Sequence, residues 1–181
     1  MKSTMIRNLV LTALFFALGL VLPFLTGQVP EIGNMLLPMH LPVFLCALIC
    51  GWKYATPMAF VLPLIRSLFF GMPPIYPTAV AMAFELAAYA FVAGFIYFLF
   101  KKQSVEKVYV SIIASMVAGR IVWGSVQLVL LGIGGNPFTW EAFWAGAVLK
   151  AIPGIVMLLI VVPAVMLTLD SQKLIRFRRG S

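Results

Sequence analysis

Charge is what this chain has least of. Only 10% of its 181 residues are Asp, Glu, Lys or Arg, and five of them are acidic. Soluble domains are about a quarter charged, so the residues needed to coat a water-facing surface are missing. Histidine occurs once and cysteine twice, too few donors for a tetrahedral zinc site. Cys46 and Cys50 lie four apart in one apolar run and read as buried structural thiols sharing a helix face. The phosphate loop G-x-x-x-x-G-K-[ST], the zinc motif H-E-x-x-H and the nucleophile elbow G-x-S-x-G are also absent. Their absence removes the usual routes to ATP hydrolysis, metalloprotease chemistry and serine hydrolysis.

What remains is apolar: 63% of residues are hydrophobic and the mean hydropathy is +1.08. The expected fold is all-α, a polytopic membrane protein whose single domain is a six-helix bundle in the lipid bilayer. A net charge of +8 would suggest nucleic acid in a soluble protein. No basic face with interleaved aromatics exists outside the apolar runs, so nucleic acid is not an expected partner. Lys2 and Arg7 ahead of the run that opens at Leu9 resemble a secretory leader. The run continues to about Thr26 with no small-x-small cleavage site directly after it, and is read as the first span.

About 20 apolar residues cross a hydrocarbon core as a helix. Six stretches approach that length: 9–26, 36–51, 55–70, 77–100, 108–133 and 143–169. The second and third are short and hold Pro42, Pro57 and Pro63, as expected of tilted or broken helices shielded by neighbours. Loops 27–34, 71–76 and 134–141 carry the Gly, Pro and Asn of turns. With six crossings, Lys2, Arg7, Lys53, Lys101, Lys102, Lys107, Lys173, Arg176, Arg178 and Arg179 all fall on one side, and the opposite loops hold Glu31 and Glu141 but no Lys or Arg. The positive side faces the cytoplasm, so both termini are expected there in a multi-pass cell-membrane protein.

Three cations, Arg66, Arg120 and Lys150, remain inside the spans with Glu85, Gln127 and, near the outer edge, His40. Ionisable groups at membrane depth cost at least about 2.5 kcal/mol each and normally face one another or an internal cavity. At about 1.5 Å of rise per residue, all but Arg120 fall in the outer half, and Arg120 is deepest at roughly 18–20 Å. Arg120, Trp123 and Gln127 share a helix stripe, Glu85 and Tyr89 sit one turn apart, and Asn136, Trp140 and Trp144 mark the outer end of the last span. Pro153-Gly154 reads as a break just after Lys150. Each has a plainer reading: Glu85 in an internal ion pair, Trp140 and Trp144 as interfacial anchors, His40 at a loop edge, Arg66 snorkelling to headgroups. One acid against three cations leaves two surplus positive charges, which trapped water or a ligand carboxylate would relieve.

Four stretches then resemble the substrate-binding (S) component of energy-coupling factor vitamin transporters. They are Leu9-Val-Leu-Thr-Ala13-Leu-Phe-Phe-Ala17-Leu-Gly19-Leu, with its A-x-x-x-A pair, and Leu37-Pro-Met-His40-Leu-Pro-Val followed by a Gly-Trp-Lys-Tyr turn. The others are Gly71-Met-Pro-Pro-Ile-Tyr-Pro with Glu85 downstream, and Leu149-Lys150-Ala-Ile-Pro153-Gly154 leading to Val162-Pro163. The resemblance covers about residues 5–169 and is greatest to pantothenate-type members. It implies a passive vitamin binder without catalytic chemistry or a cofactor of its own, partnered by a transmembrane coupling subunit and two ATPase subunits that hydrolyse ATP. Ala13 and Ala17 would then face the coupling subunit, and the ligand pocket would lie under loop 27–34. Expected substrate contacts are Lys150, Arg120, Glu85, Tyr89, Gln127, Asn136, Arg66, His40 and Trp140. Folate- or biotin-like acids fit the same charges, whereas a hydroxymethylpyrimidine- or pyridoxine-type precursor leaves the cations unexplained. An intramembrane enzyme and an assembly protein that binds no small molecule are the readings from other classes.

Overall fold

The computed structural model describes residues 2–26, 38–133 and 151–172, and every regular element among them is helical. Helix α1 spans Lys2–Val21 and tightens into a 3-10 turn, Leu22–Thr26; α2 is His40–Ile49 and α3 is Trp52–Phe70. Helix α4, Val80–Leu99, is entered through the wide turn Ile75–Ala79, and is followed by α5, Val105–Ile133, and α6, Ile152–Ser171. Among the described residues, four helical segments are long and apolar enough to cross a membrane: Thr4–Phe24, Ile75–Leu99, Val105–Gly132 and Ile152–Ser171. Helix α2, with ten residues, is about 15 Å long, half the thickness of a hydrocarbon core.

Proline sets several of these limits. Pro23 follows the end of α1, because the residue before a proline is pushed out of the helical region. Pro42 is the third residue of α2 and Pro153 the second of α6. In a first helical turn the missing N–H costs nothing. Pro153-Gly154 therefore sits in the first turn of α6, and the residues before Ala151, across which a break was expected, lie outside the described part. The expected span 36–51 is likewise helical only from His40, with a turn at Pro38 and Met39 and residues 36–37 outside the described part. The break expected over 51–54 shrinks to Cys50 and Gly51, which carries φ +90°, and α3 already begins at Trp52.

From α1 to α5, helices that follow one another in the chain run in alternating directions. Thr12 faces Cys46 across the α1–α2 seam, while Phe60 meets Phe84 and Trp52 meets Phe91 between α3 and α4. Arg120 meets Glu85 and Leu130 meets Tyr76 along α4 and α5. Arg7, the α2–α3 turn and the start of α5 consequently gather at one end. There Gly51 packs on Phe98, Arg7 lies within electrostatic reach of Cys50, and the Lys107 ammonium sits 4.7 Å from the Phe100 ring.

Helix α4 is the centre of the bundle, packing along α3 and α5 and touching α2. Its buried residues mix the small Ala81, Ala83, Ala90, Ala93 and Gly94 with Glu85, Leu86, Tyr89 and Tyr97. Phe84, Phe91, Phe95 and Phe98 are exposed, with Phe91 stacked on Phe95 at 5.6 Å. Small residues bring the backbones together where neighbours come closest, as expected where close approach drives packing. Gly94 marks the tightest approach: a Cβ there would lie 2.7 Å from the Trp52 backbone nitrogen and 3.0 Å from the Ala47 carbonyl oxygen. Neither atom can yield without moving the α2–α3 turn. Gly94→Ala should therefore cost about 1–3 kcal/mol and lower the thermal midpoint in detergent; an unchanged midpoint would show that this approach is slack.

Candidate functional site

The site is organised around one carboxylate oxygen. Glu85 and Tyr89 lie one turn apart on the inward face of α4, and the Tyr89 hydroxyl donates to Glu85 Oε1 at 2.7 Å. From α5, Arg120 Nη1 donates to the same oxygen at 2.8 Å. Glu85 is 3% exposed and Arg120 15%. A lone buried carboxylate would be very costly, and the guanidinium and phenol together offset that desolvation. The pair is electrically neutral. It engages one guanidinium nitrogen, and a guanidinium has five N–H donors in all, so Arg120 keeps the capacity to hold a second acceptor.

Tyr89 is held from both sides. Its ring lies 5.3 Å from the His40 ring and 5.5 Å from that of Phe44, both on α2. On the α5 side it rests on Gly119, where a Cβ would come within 2.2 Å of Cε1. Any larger residue there would push the ring away from its position against Glu85. Two turns beyond Arg120 on the same stripe, Gln127 is 8% exposed and its Oε1 is buried with no hydrogen bond among the described residues. A buried acceptor left without a donor costs about 1–3 kcal/mol, so this atom suits a ligand hydroxyl or amide N–H.

Of the residues singled out in the sequence, Glu85, Tyr89, Arg120 and His40 come together, with Gln127 on the shared α5 stripe. His40 is 2% exposed and packs at the level of Tyr89, one turn inward of Glu85, instead of at the outer surface. It gets there because α2 begins at His40 itself. Arg66 goes elsewhere: it is 2% exposed, donates from Nη1 to the Leu20 carbonyl and lies 4.9 Å and 5.4 Å from the rings of Phe24 and Phe70. It neither snorkels nor pairs with Glu85; it satisfies a carbonyl at the C-terminal end of α1, where helices leave carbonyls unpaired. The expected surplus of two positive charges loses Arg66, and the remaining one rests on Lys150, outside the described residues; the described cluster holds one cation and one anion. Lys150, Asn136 and Trp140 lie outside the described residues, as do Trp144, Glu31 and Glu141. Ala13 and Ala17 are exposed on α1.

Gly119 and Phe44 escaped the sequence reading. For Gly119 a signal existed: glycine in a helix interior costs about 1 kcal/mol relative to alanine, and here it directly precedes an intramembrane arginine. Phe44 is one apolar residue among many and offered none.

An ionic cluster sealed among apolar helices, four of which are long enough to span a bilayer among the described residues, marks a helical membrane protein. The family described as ECF transporter, substrate-specific component, matches residues 7–166, and the chain belongs to it. It is thus a non-enzymatic, substrate-binding component of a membrane transporter, working with a small-molecule substrate and an energy-coupling module. Comparison with curated proteins and with solved structures finds no match.

The contact between Gly119 and Tyr89 predicts a non-additive pair. Gly119→Ala alone should destabilise the protein by about 1–3 kcal/mol, whereas in a Tyr89→Ala background it should cost almost nothing. Thermal denaturation of the four proteins in detergent measures the coupling. Strict additivity would refute the contact.

Proposed function

We propose that the chain captures a small vitamin bearing a carboxylate, with pantothenate favoured by the resemblance of its His40 and Gly71 stretches, for uptake driven by ATP. The observation that carries this reading is the Glu85–Tyr89–Arg120 cluster with the unpartnered Gln127 oxygen beyond it. Its position supports capture from outside. The basic residues Arg7, Lys53, Lys101, Lys102 and Lys107 gather at the opposite end, which the positive-inside rule assigns to the cytoplasm. Glu85 is five residues from the outer start of α4, about 8 Å by helical rise, and fourteen from its inner end. On this reading the chain is one domain of six spans with both termini inside. The short α2 and the Lys53- and Arg66-bearing α3 complete the count as crossings shielded by α1 and α4.

Arg120 and Lys150 are the proposed carboxylate partners. Glu85, Tyr89, Gln127, Asn136, His40 and Trp140 supply polar and aromatic contacts. Arg66 is withdrawn from the ligand, because its guanidinium is occupied at the end of α1. One observation favours a second reading: Glu85 already neutralises Arg120, which suits an uncharged polar substrate such as a pyrimidine or pyridine precursor. Mass spectrometry of the small molecule that co-purifies with the chain, followed by titration of that molecule, separates the two. A carboxylate-bearing vitamin supports the first, a neutral one the second, and an empty protein that binds none of a vitamin panel counts against both.

Under the first reading Lys150→Met should weaken binding at least tenfold, or about 1.4 kcal/mol; unchanged affinity removes Lys150 from the site. The partners proposed for uptake are a transmembrane coupling subunit and two ATPase subunits, docked on the face of Ala13 and Ala17. These small residues are exposed on α1, at the spacing that lets helix backbones approach closely. Ala13→Trp should leave ligand affinity intact and abolish uptake in cells. Persistent uptake would show that the coupling subunit docks elsewhere.

A further inference from the structure

A second polar cluster lies at the other end of the bundle, in the seam between α1 and α2. Cys46 is fully buried and Cys50 is 6% exposed. Four apart on α2, their side chains share one face, one turn from each other. Cys46 Sγ donates toward Thr12 Oγ1 across the seam at 3.7 Å. Thr12 spends its own proton on the Asn8 carbonyl, so toward the thiols it is an acceptor only.

The antiparallel register adds a fourth residue. With Thr12 opposite Cys46, the position one turn back on α1, Asn8, falls opposite Cys50. Asn8 Oδ1 is buried and accepts no hydrogen bond among the described residues. Two thiols, a hydroxyl oxygen with its lone pairs turned inward and an amide oxygen without a donor make a site that asks for a cation. Arg7, exposed at the same end, lies within electrostatic reach of Cys50.

We propose that Cys46 and Cys50 form a bis-thiolate site for one soft d10 monovalent cation of the Cu(I) and Ag(I) kind. Thiolates select such ions, which accept two-coordinate geometry, so a pair of cysteines suffices where tetrahedral zinc would demand four ligands. Among the described residues no group of three or more His, Cys, Asp or Glu gathers to offer such a set. On binding, each thiol releases its proton to the buffer and forms one metal–sulfur bond, with no change of oxidation state. The product carries a single negative charge, which Arg7 is placed to balance. Cys50 stands beside Gly51 at the mouth of the α2–α3 turn, the open route for the ion. Because Asn8 and Thr12 belong to α1, occupancy would fix the seat of that helix on α2.

The test uses Ag(I) with the full chain in detergent, in a nitrate buffer free of chloride and added thiols. Titration should load one ion per chain. Cys46→Ser and Cys50→Ser should each bind at least about 100-fold more weakly, because a single thiolate loses the gain from a second one held at high effective concentration. Variants that match the unsubstituted protein would overturn the site. So would two ions per chain with each variant keeping one at unchanged affinity. A readout on the unsubstituted chain guards against misfolded variants: one equivalent of Ag(I) should protect both thiols from alkylation together, seen by intact mass. Protection of one thiol or neither would equally refute the proposal.

Discussion

The polar seam between α4 and α5 depends on Glu85 being allowed to exist where it is. A carboxylate almost fully withdrawn from solvent, on the helix at the centre of the bundle, requires a positive partner and a hydrogen-bond donor at the same oxygen. Arg120 and Tyr89 supply them from α5 and from the next turn of α4. Their demands propagate outward. Tyr89 must stand upright against α5, which requires glycine at position 119, and its ring must be walled on the far side, which His40 and Phe44 do from α2. The short α2 is therefore anchored at its first turn by the same interaction that neutralises the acid. One ion pair thus sets the relation of three helices.

The buried side of α4 combines small residues with a few large ones, Leu86, Tyr89 and Tyr97. Without a hydrophobic driving force between helices in lipid, close packing and satisfied polar groups decide which faces meet. Alanine and glycine let neighbouring helices approach α4, while its phenylalanines at 84, 91, 95 and 98 are exposed. The polar cluster is then the element of specificity: it fixes which turn of α5 meets which turn of α4, a register that a smooth alanine surface would leave free.

Much of this was legible in the sequence because membranes impose strong rules. Apolar runs and loop charges gave the helices and a sided arrangement, and the i, i+4 spacing of Glu85 and Tyr89 placed both on one face. The pairing of Glu85 with Arg120 was open among three cations, since rise along a helix gives depth but not azimuth. Arg66 was misjudged for that reason. Its depth matched the cluster, while its direction took it to Phe24, Phe70 and the Leu20 carbonyl. His40 was misplaced because the start of α2 was drawn from hydropathy, whereas Pro42 sets it by belonging in a first turn. A glycine inside a helix and next to an arginine marked position 119 as unusual, but the Tyr89 ring that explains it lies on another helix, which a single sequence does not encode.

The attachment of α1 to α3 has a mechanical consequence. The two helices run parallel and touch in ascending order: Gly19 on Leu62, the Leu20 carbonyl on Arg66, Phe24 on Phe70. Below these contacts α1 keeps one face bare and lays the other on α2, where Thr12 meets Cys46. A rod seated along two neighbours moves as one body with them. A load applied to its open face is therefore passed to α2 and α3 together, and through both of them to α4.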